Sequence, residues 1–121
     1  MKIAITALEN NFDESKVDSR FGRAAGFFIL DTETDHCKWL ENSQNIYAEH
    51  GAGIQAAQTV INSGAEILVT GHVGPKAYKA LTAGKIKIYS DAEKYQVNEI
   101  KQLLKENKLN LAERENTVGL G

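Results

Sequence analysis

The feature of this sequence that most constrains its fold is a short, fully apolar run at residues 67–69, with the sequence Ile-Leu-Val, which lies between two segments of helical character. Before it, apolar residues recur at helical spacing from 51 to 63. After it, Pro75 suits the first position of a second helix and Gly84 suits its end. A compact apolar run between two helices is typical of a central parallel strand, so the pattern predicts an α/β protein.

The other segments complete one domain, which we expect to span residues 1–121 with a flexible tail from about 113 to 121. The order β-β-β-α-β-α-β-α predicts a five-stranded mixed sheet with about three flanking helices, in which an antiparallel hairpin precedes right-handed βα units. The first helix ends near Gly64, which suits a left-handed cap. The remaining predicted elements are strands at residues 2–8, 27–30, 37–41 and 86–88, and a last helix that begins with a capping box at residues 90–93.

Composition excludes several classes of protein. Fourteen Lys and Arg against sixteen Asp and Glu leave a formal charge of −2 in 121 residues. No dense basic block is present, which argues against a nucleic-acid partner. The sequence also contains no apolar stretch of roughly 18 residues, which argues against a membrane partner. The oligomeric state stays open.

The single cysteine, Cys37, restricts both compartment and metal chemistry. One thiol can form neither an internal disulfide nor the cysteine-rich site of a structural zinc or a conventional iron–sulfur cluster. The apolar stretch at the N-terminus is too short for a signal peptide. We therefore expect a soluble protein of the cytoplasm.

Three glycine-rich segments are the candidate site: residues 19–24, 50–53 and 70–75. Ligands of open α/β sheets bind beyond the carboxyl ends of the parallel strands, where these segments should meet. Two helix N-termini there would present backbone N–H groups and partial positive charge to an anion, and two arginines would add full charges. The candidate anion-binding residues are Arg20, Phe21, Gly22, Arg23, Gly51, Gly53, Gly71 and Gly74. His50 and His72 are available as hydrogen-bond donors or metal ligands.

Simpler interpretations of these residues stay open. The glycines could serve only as turns, and each histidine could be a cap or a solvated side chain. Arg20 and Arg23 could pair with acidic residues of the same loop, namely Asp13, Glu14 or Asp18. Cys37 lies two residues from Trp39, on the same face of a predicted strand, and is most simply a small buried hydrophobic residue.

The established sequence motifs for nucleotide binding and catalysis are either absent or lie in the wrong context. Residues 51–56 match the dinucleotide pattern G-x-G-x-x-A, but they do not follow a strand directly, and no acidic residue ends the next strand. The phosphate-loop, zincin and α/β-hydrolase motifs do not occur. The first strand carries no carboxylate at its centre, as a two-metal nuclease would need. Binding without turnover is therefore favoured over an enzyme.

At these same segments the chain resembles the dinitrogenase iron–molybdenum cofactor biosynthesis family, which includes small cofactor carriers and the C-terminal domain of the cofactor-precursor synthase. The resemblance covers roughly residues 1–106 and rests on residues 20–24 (RFGRA), 50–57 (HGAGIQAA), 69–77 (VTGHVGPKA) and 84–89 (GKIKIY). It implies a ribonuclease-H-like, three-layer fold around a five-stranded mixed sheet. It also implies binding or delivery of a molybdenum- or iron-containing sulfide cluster, with cluster donor and acceptor proteins as partners.

One departure from the family pattern concerns the first motif. Many members carry a His immediately before its Phe-Gly, where this sequence has Arg20. Arginine stays protonated and cannot readily coordinate a metal, although it can hydrogen-bond to sulfides. The remaining candidate ligands are His50, His72 and Cys37, in that order; alternatively, charge and hydrogen bonds alone hold the cluster.

The sequence thus leads to one function and one alternative. The function is non-enzymatic carriage of an anionic molybdenum- or iron-sulfide cluster, or its precursor. The alternative is a sensor or interaction module that binds a small anion or a nucleotide without metal.

Overall fold

The computed structural model describes residues 1–42 and 51–115. Within these ranges the chain forms six strands and three α-helices, with a short 3₁₀ helix before the last α-helix. In chain order the elements are β1 (Lys2–Ala7), β2 (Gly26–Asp31), β3 (Cys37–Glu41), α1 (Ala52–Asn62), β4 (Ile67–Val69), α2 (Pro75–Ala83), β5 (Lys87–Ser90), the 3₁₀ helix (Val97–Glu99), α3 (Ile100–Lys105) and β6 (Asn110–Leu111).

The strands form one mixed sheet in the order β3-β2-β1-β4-β5-β6. β1 pairs in parallel with β4, and β4 pairs in parallel with β5. The other three pairings are antiparallel, including the hairpin of β2 and β3. The predicted mixed α/β architecture is therefore confirmed, and β4 occupies the interior of the sheet as its apolar sequence indicates.

Helices cover both faces of the sheet. Alternate residues of β1 point to opposite sides, so that Ala4 joins one core cluster while Ile3 and Ile5 join the other. The first cluster includes Val60 of α1 and Leu81 of α2, and the second includes Ile100 of α3. The glycine-rich starts of α1 and α2 therefore lie on one side of the sheet.

The predicted start of the last helix at residues 90–93 is wrong. Ser90 ends β5, and the backbone of Asp91 has a φ of 60°, which a helix does not allow. The capping box instead joins Gln96 and Glu99, since the Glu99 side chain accepts a 2.9 Å hydrogen bond from the Gln96 N–H. The left-handed backbone at Asp91 therefore rules out a helix start there, and the capped helix begins six residues after the predicted position.

The predicted number of five strands is also corrected. β6 adds a sixth strand, in which Leu111 pairs with Tyr89 of β5. Leu111 is 46% exposed, so this strand has no buried side chain that would mark it in the sequence. The predicted tail begins just after it, and residues 116–121 of that tail lie outside the described residues. None of the described helices has the length and apolar content that crossing a membrane requires.

Candidate functional site

The loop after β1 and the loop after β4 are joined by backbone hydrogen bonds. Gly71 N–H donates to the Asp18 carbonyl at 3.2 Å, and His72 N–H donates to the Ser19 carbonyl at 2.7 Å. Phe21 N–H then donates to the His72 carbonyl at 3.1 Å. Two of the three predicted site segments are therefore direct neighbours at the carboxyl ends of β1 and β4.

Two glycines make these close approaches sterically feasible. A Cβ on Gly71 would lie 2.5 Å from the Ser19 backbone, and a Cβ on Gly22 would lie 2.9 Å from the Gly53 backbone nitrogen. Real Cβ atoms do not occupy such positions, so any larger residue would push these segments apart. Gly22 and Gly71 thus have a structural role at the site.

A groove of about 280 Å³ lies where all three glycine-rich segments meet. Its lining residues come from the loop after β1 and from the first turns of α1 and α2: Phe21, Gly22, Gly51, Gly53, Ile54, Gly74, Pro75, Lys76 and Ala77. The predicted convergence of the segments is therefore present in the structure. Of the predicted anion-binding residues, Phe21, Gly22, Gly51, Gly53 and Gly74 line the groove.

Among the residues that the structure describes, no side chain caps either of the two helix N-termini at this groove. Gly51 precedes α1 with a φ of 77°, and Gly74 precedes α2 in an extended conformation. Neither helix has an acidic residue in its first turn, while Lys76 adds a positive charge to the first turn of α2. Uncapped N-terminal N–H groups carry partial positive charge, so the groove is electrostatically suited to an anion.

Arg20 extends from the loop after β1 and is 61% exposed at its side chain. Its Nε lies 3.6 Å from Oδ1 of Asp18, and its backbone N–H donates to the same oxygen at 2.9 Å. Burial raises the pKa of Asp18, while the hydrogen bonds and positive charge of Arg20 oppose that rise. The predicted alternative of an acidic partner in the same loop is confirmed for Arg20, and that partner is Asp18. Arg23 is half-buried on the same loop.

His72 faces two carboxylates that follow β5. Its Nε2 lies 3.1 Å from Oε2 of Glu93, and its Nδ1 lies 3.8 Å from Oδ1 of Asp91. The sequence analysis assigned Asp91 and Glu93 to a helix cap and missed this cluster. Their position directly after a parallel strand was the available signal, since such residues share one edge of the sheet. His50 lies outside the described residues.

Cys37 lies away from the groove. It pairs with Leu30 in β2, and Leu30 pairs with Ile3 near the start of β1, whereas the groove lies beyond the end of β1. The thiol packs with Trp39 against the second core cluster. Burial raises the pKa of Cys37, which disfavours the thiolate that a metal would need.

Asn42 is a further residue that the sequence analysis missed. Its side chain is fully buried and donates hydrogen bonds to the carbonyls of Ala24 at 2.9 Å and Gly22 at 3.3 Å. It therefore holds the loop after β1 in place beside the groove. A single Asn after a strand offers no sequence signal for this role.

Comparisons with known proteins decide the family. The model of the family described as dinitrogenase iron-molybdenum cofactor matches residues 1–107. The chain belongs to this family. The resemblance expected from the glycine-rich motifs is thereby confirmed. An uncharacterised protein of Methanocaldococcus jannaschii is 27% identical to this chain over 111 residues. The match covers 90% of this chain and 93% of that protein.

Two solved structures of similar proteins share the fold. The apo form of the orange protein from Desulfovibrio gigas is 40% identical, with a TM-score of 0.91 and coverage of 96% of both chains. The NMR structure of a candidate NifB protein from Thermotoga, of the DUF35 family, is 30% identical, with a TM-score of 0.78. It covers 99% of this chain and 98% of that protein. This member of the iron-molybdenum cofactor family thus shares its fold with both proteins over nearly the whole of each chain.

Proposed function

We propose that the protein binds an anionic molybdenum- or iron-sulfide cluster, or a precursor of one, and carries it without chemical conversion. Membership in the iron-molybdenum cofactor family supports this proposal. So does the similarity to the D. gigas orange protein, whose structure is described as an apo form, a term that presumes a ligand-bound form. The partners of such a carrier would be proteins that donate and accept the cluster.

The observation that carries the proposal is the groove between the two uncapped helix N-termini. Four of the nine residues that line it are glycines, three of which lie at the starts of α1 and α2, so a bulky anion can approach the N–H groups there closely. With about 280 Å³ the groove has room for a small inorganic cluster and opens to solvent for loading. Phe21 and Ile54 supply an apolar wall that suits the soft sulfide surface of such a cargo.

Charge and hydrogen bonds, rather than protein ligands to metal, hold the cluster in this proposal. Arg20 is exposed and directly precedes Phe21 of the groove lining, so it would donate hydrogen bonds to the cluster without coordinating metal. The imidazole of His72 already faces Asp91 and Glu93, and Cys37 lies near the other end of the sheet. Weak holding of this kind would suit a carrier, because the cargo must be released to an acceptor.

The test uses tetrathiomolybdate, an anionic molybdenum sulfide. The apo protein would be incubated with it, desalted, and assayed for molybdenum and for visible absorption. We expect retained molybdenum in the wild-type protein and reduced retention in Arg20→Ala and Arg23→Ala. Arg114→Ala is the matched control, because Arg114 is exposed and lies outside the groove, and it should retain molybdenum like the wild type.

A parallel experiment distinguishes cluster carriage from the alternative function, the binding of phosphate or a nucleotide without metal. A phosphate or nucleotide sensor would use the same N–H groups and arginines without metal. Parallel titrations with inorganic phosphate and with ATP would detect it. Failure to retain molybdenum, together with tight binding of either phosphate compound, would contradict the carrier proposal.

A further inference from the structure

We propose that His72, Asp91 and Glu93 form a binding site for one divalent first-row transition-metal cation, such as Zn²⁺, separate from the groove. One potential ligand atom from each residue lies within 4.8 Å of the other two. His72 Nε2 and Glu93 Oε2 lie 3.1 Å apart, close enough to share one cation. Ligand atoms that each lie about 2.0–2.2 Å from a tetrahedral Zn²⁺ stand about 3.5 Å apart, so His72 Nε2 and Glu93 Oε2 already have a suitable spacing. The Asp91 carboxylate faces Nδ1 of the same ring at 3.8 Å, so it would complete the site by rotating towards a cation bound at Nε2.

The donor set indicates the kind of cation. Imidazole nitrogen favours zinc, iron, cobalt and nickel over magnesium and calcium, and carboxylate oxygen completes mixed nitrogen and oxygen sites for these ions. With a neutral His72 the two carboxylates carry a charge of −2, which a divalent cation balances. Three protein ligands leave coordination positions for water, as in open zinc sites.

The backbone holds the three ligands together. His72 follows β4, and Asp91 and Glu93 follow the adjacent parallel strand β5. The loop after β5 is fastened to the loop after β4, because Asp91 N–H donates to the Gly71 carbonyl at 2.8 Å and Ala92 N–H donates to the Thr70 carbonyl at 3.1 Å. The backbone that carries the ligands is therefore arranged before any metal arrives, so that binding requires only side-chain rotation.

A neighbouring side chain orients one of the carboxylates. Asn110 of β6 donates through Nδ2 to Oδ2 of Asp91 at 3.2 Å and lies equally close to Oγ of Ser90. The other oxygen of Asp91, Oδ1, faces the His72 ring. Hydrogen bonds of this kind to metal-binding carboxylates fix their orientation and raise metal affinity.

The competing explanation is an ion pair without metal, in which a protonated His72 lies between two carboxylates. The exposed fractions of the three side chains, 28% for His72, 52% for Asp91 and 35% for Glu93, leave the cluster accessible to either a proton or a cation. The two explanations differ in what happens when Zn²⁺ is added at constant pH. Only a metal site binds it stoichiometrically and changes the imidazole resonances.

The test titrates the apo protein with Zn²⁺ alone, by calorimetry and by NMR of the histidine rings. We expect one Zn²⁺ per chain and a shift of the His72 resonances, and Co²⁺ should give the visible absorption of a bound ion. Glu93→Gln and Asp91→Asn should each weaken binding by about tenfold or more, and Asn110→Ala should weaken it by about tenfold. Glu66→Gln is the matched control, because Glu66 is exposed and precedes β4 at the opposite end of the sheet.

Three results would overturn the proposal: no Zn²⁺ binding at millimolar concentration, unchanged affinity in Glu93→Gln, or shifts confined to the His36 or His50 resonances. Amide NMR spectra of each variant establish that it is folded, so that lost binding reports on the site. Because no thiomolybdate is present, the outcome is independent of the proposed carriage of a cluster.

Discussion

The hydroxyl oxygens of Thr6 and Thr70 lie 2.8 Å apart at the carboxyl ends of the adjacent strands β1 and β4. Both side chains are fully buried. The Thr6 hydroxyl also donates to the Asp18 carbonyl at 3.1 Å. A buried polar link therefore ties two parallel strands to the loop that carries Arg20.

This link should contribute to stability. We expect Thr70→Val to lower the free energy of unfolding by about 1 kcal/mol, because the Thr6 hydroxyl loses one of its two buried partners. Urea denaturation measures the change. Thr82→Val is the control, since Thr82 is exposed and bonds only to carbonyls of its own helix, and its effect should stay within about 0.5 kcal/mol. Equal losses in the two variants would contradict a special contribution from the buried pair.

Asp18 should titrate above its ordinary pKa of 3.8, because burial penalises its charged form. Arg20 lowers that pKa through charge and hydrogen bonding, so Arg20→Ala should raise the pKa of Asp18 further. Carbon NMR of the carboxyl group measures both values, with Arg114→Ala as the control. An unchanged pKa of Asp18 in Arg20→Ala would show that the pairing is absent in solution.

The raised pKa of Asp18 also makes the free energy of unfolding depend on pH. The folded protein holds the proton of Asp18 more tightly than the unfolded chain does. The contribution of this group to stability is therefore greatest below a pH of about 3.8 and falls as the pH rises through its folded-state pKa. Urea denaturation across this acid range measures the effect. As the pH rises, the free energy of unfolding should fall less in Asp18→Asn than in the wild type, because Asn does not titrate.

Gly22→Ala should damage both stability and binding. The added methyl group would meet the backbone of Gly53, which lies in the first turn of α1 and cannot move away like a side chain. We expect a loss of about 1–3 kcal/mol in urea denaturation and reduced retention of thiomolybdate. Gly84→Ala is the control, because its methyl group would meet the movable side chain of Ile61 at a similar 2.9 Å. A Gly22→Ala protein with normal stability would mean that the two segments are less tightly packed in solution.

Lys76→Glu should separate stability from binding. A carboxylate in the first turn of α2 interacts favourably with the helix dipole, by about 0.3–1 kcal/mol, so the variant should be slightly more stable. The same carboxylate competes with an anion in the groove, so thiomolybdate retention should fall. Lys79→Glu makes an identical charge change one turn further along and outside the groove lining. Equal loss of retention in both variants would indicate a general charge effect.

Much of the fold was predictable because its signals are local. Residues 67–69 are apolar enough to identify a central strand, and the predicted helix at 51–63 agrees closely with Ala52–Asn62. β6 escaped prediction because Asn110 and Leu111 are both exposed and join the sheet only through backbone pairing with β5. The start of α3 was misplaced because two capping boxes competed, and only the contacts of the folded chain select the one at Gln96.

The site was predictable to the level of backbone segments. The rule that loops after parallel strands share one edge correctly brought the loop carrying Phe21 to Gly51 and Gly74. That rule does not predict which way the side chains of these loops point. That His72 faces Glu93 depends on the pairing of β4 with β5, and the buried position of Asn42 depends on the fold of a loop twenty residues earlier.

The pairing of β1 with β4 also determines when the groove can first form during synthesis. Thr6 and Thr70 are 64 residues apart in the chain, and the groove needs the start of α2 as well. When only β1 to α1 have emerged from the ribosome, the part of the groove that α2 supplies is still missing. A cargo of the proposed kind would therefore bind only after the first turn of α2 has been made and has packed beside α1.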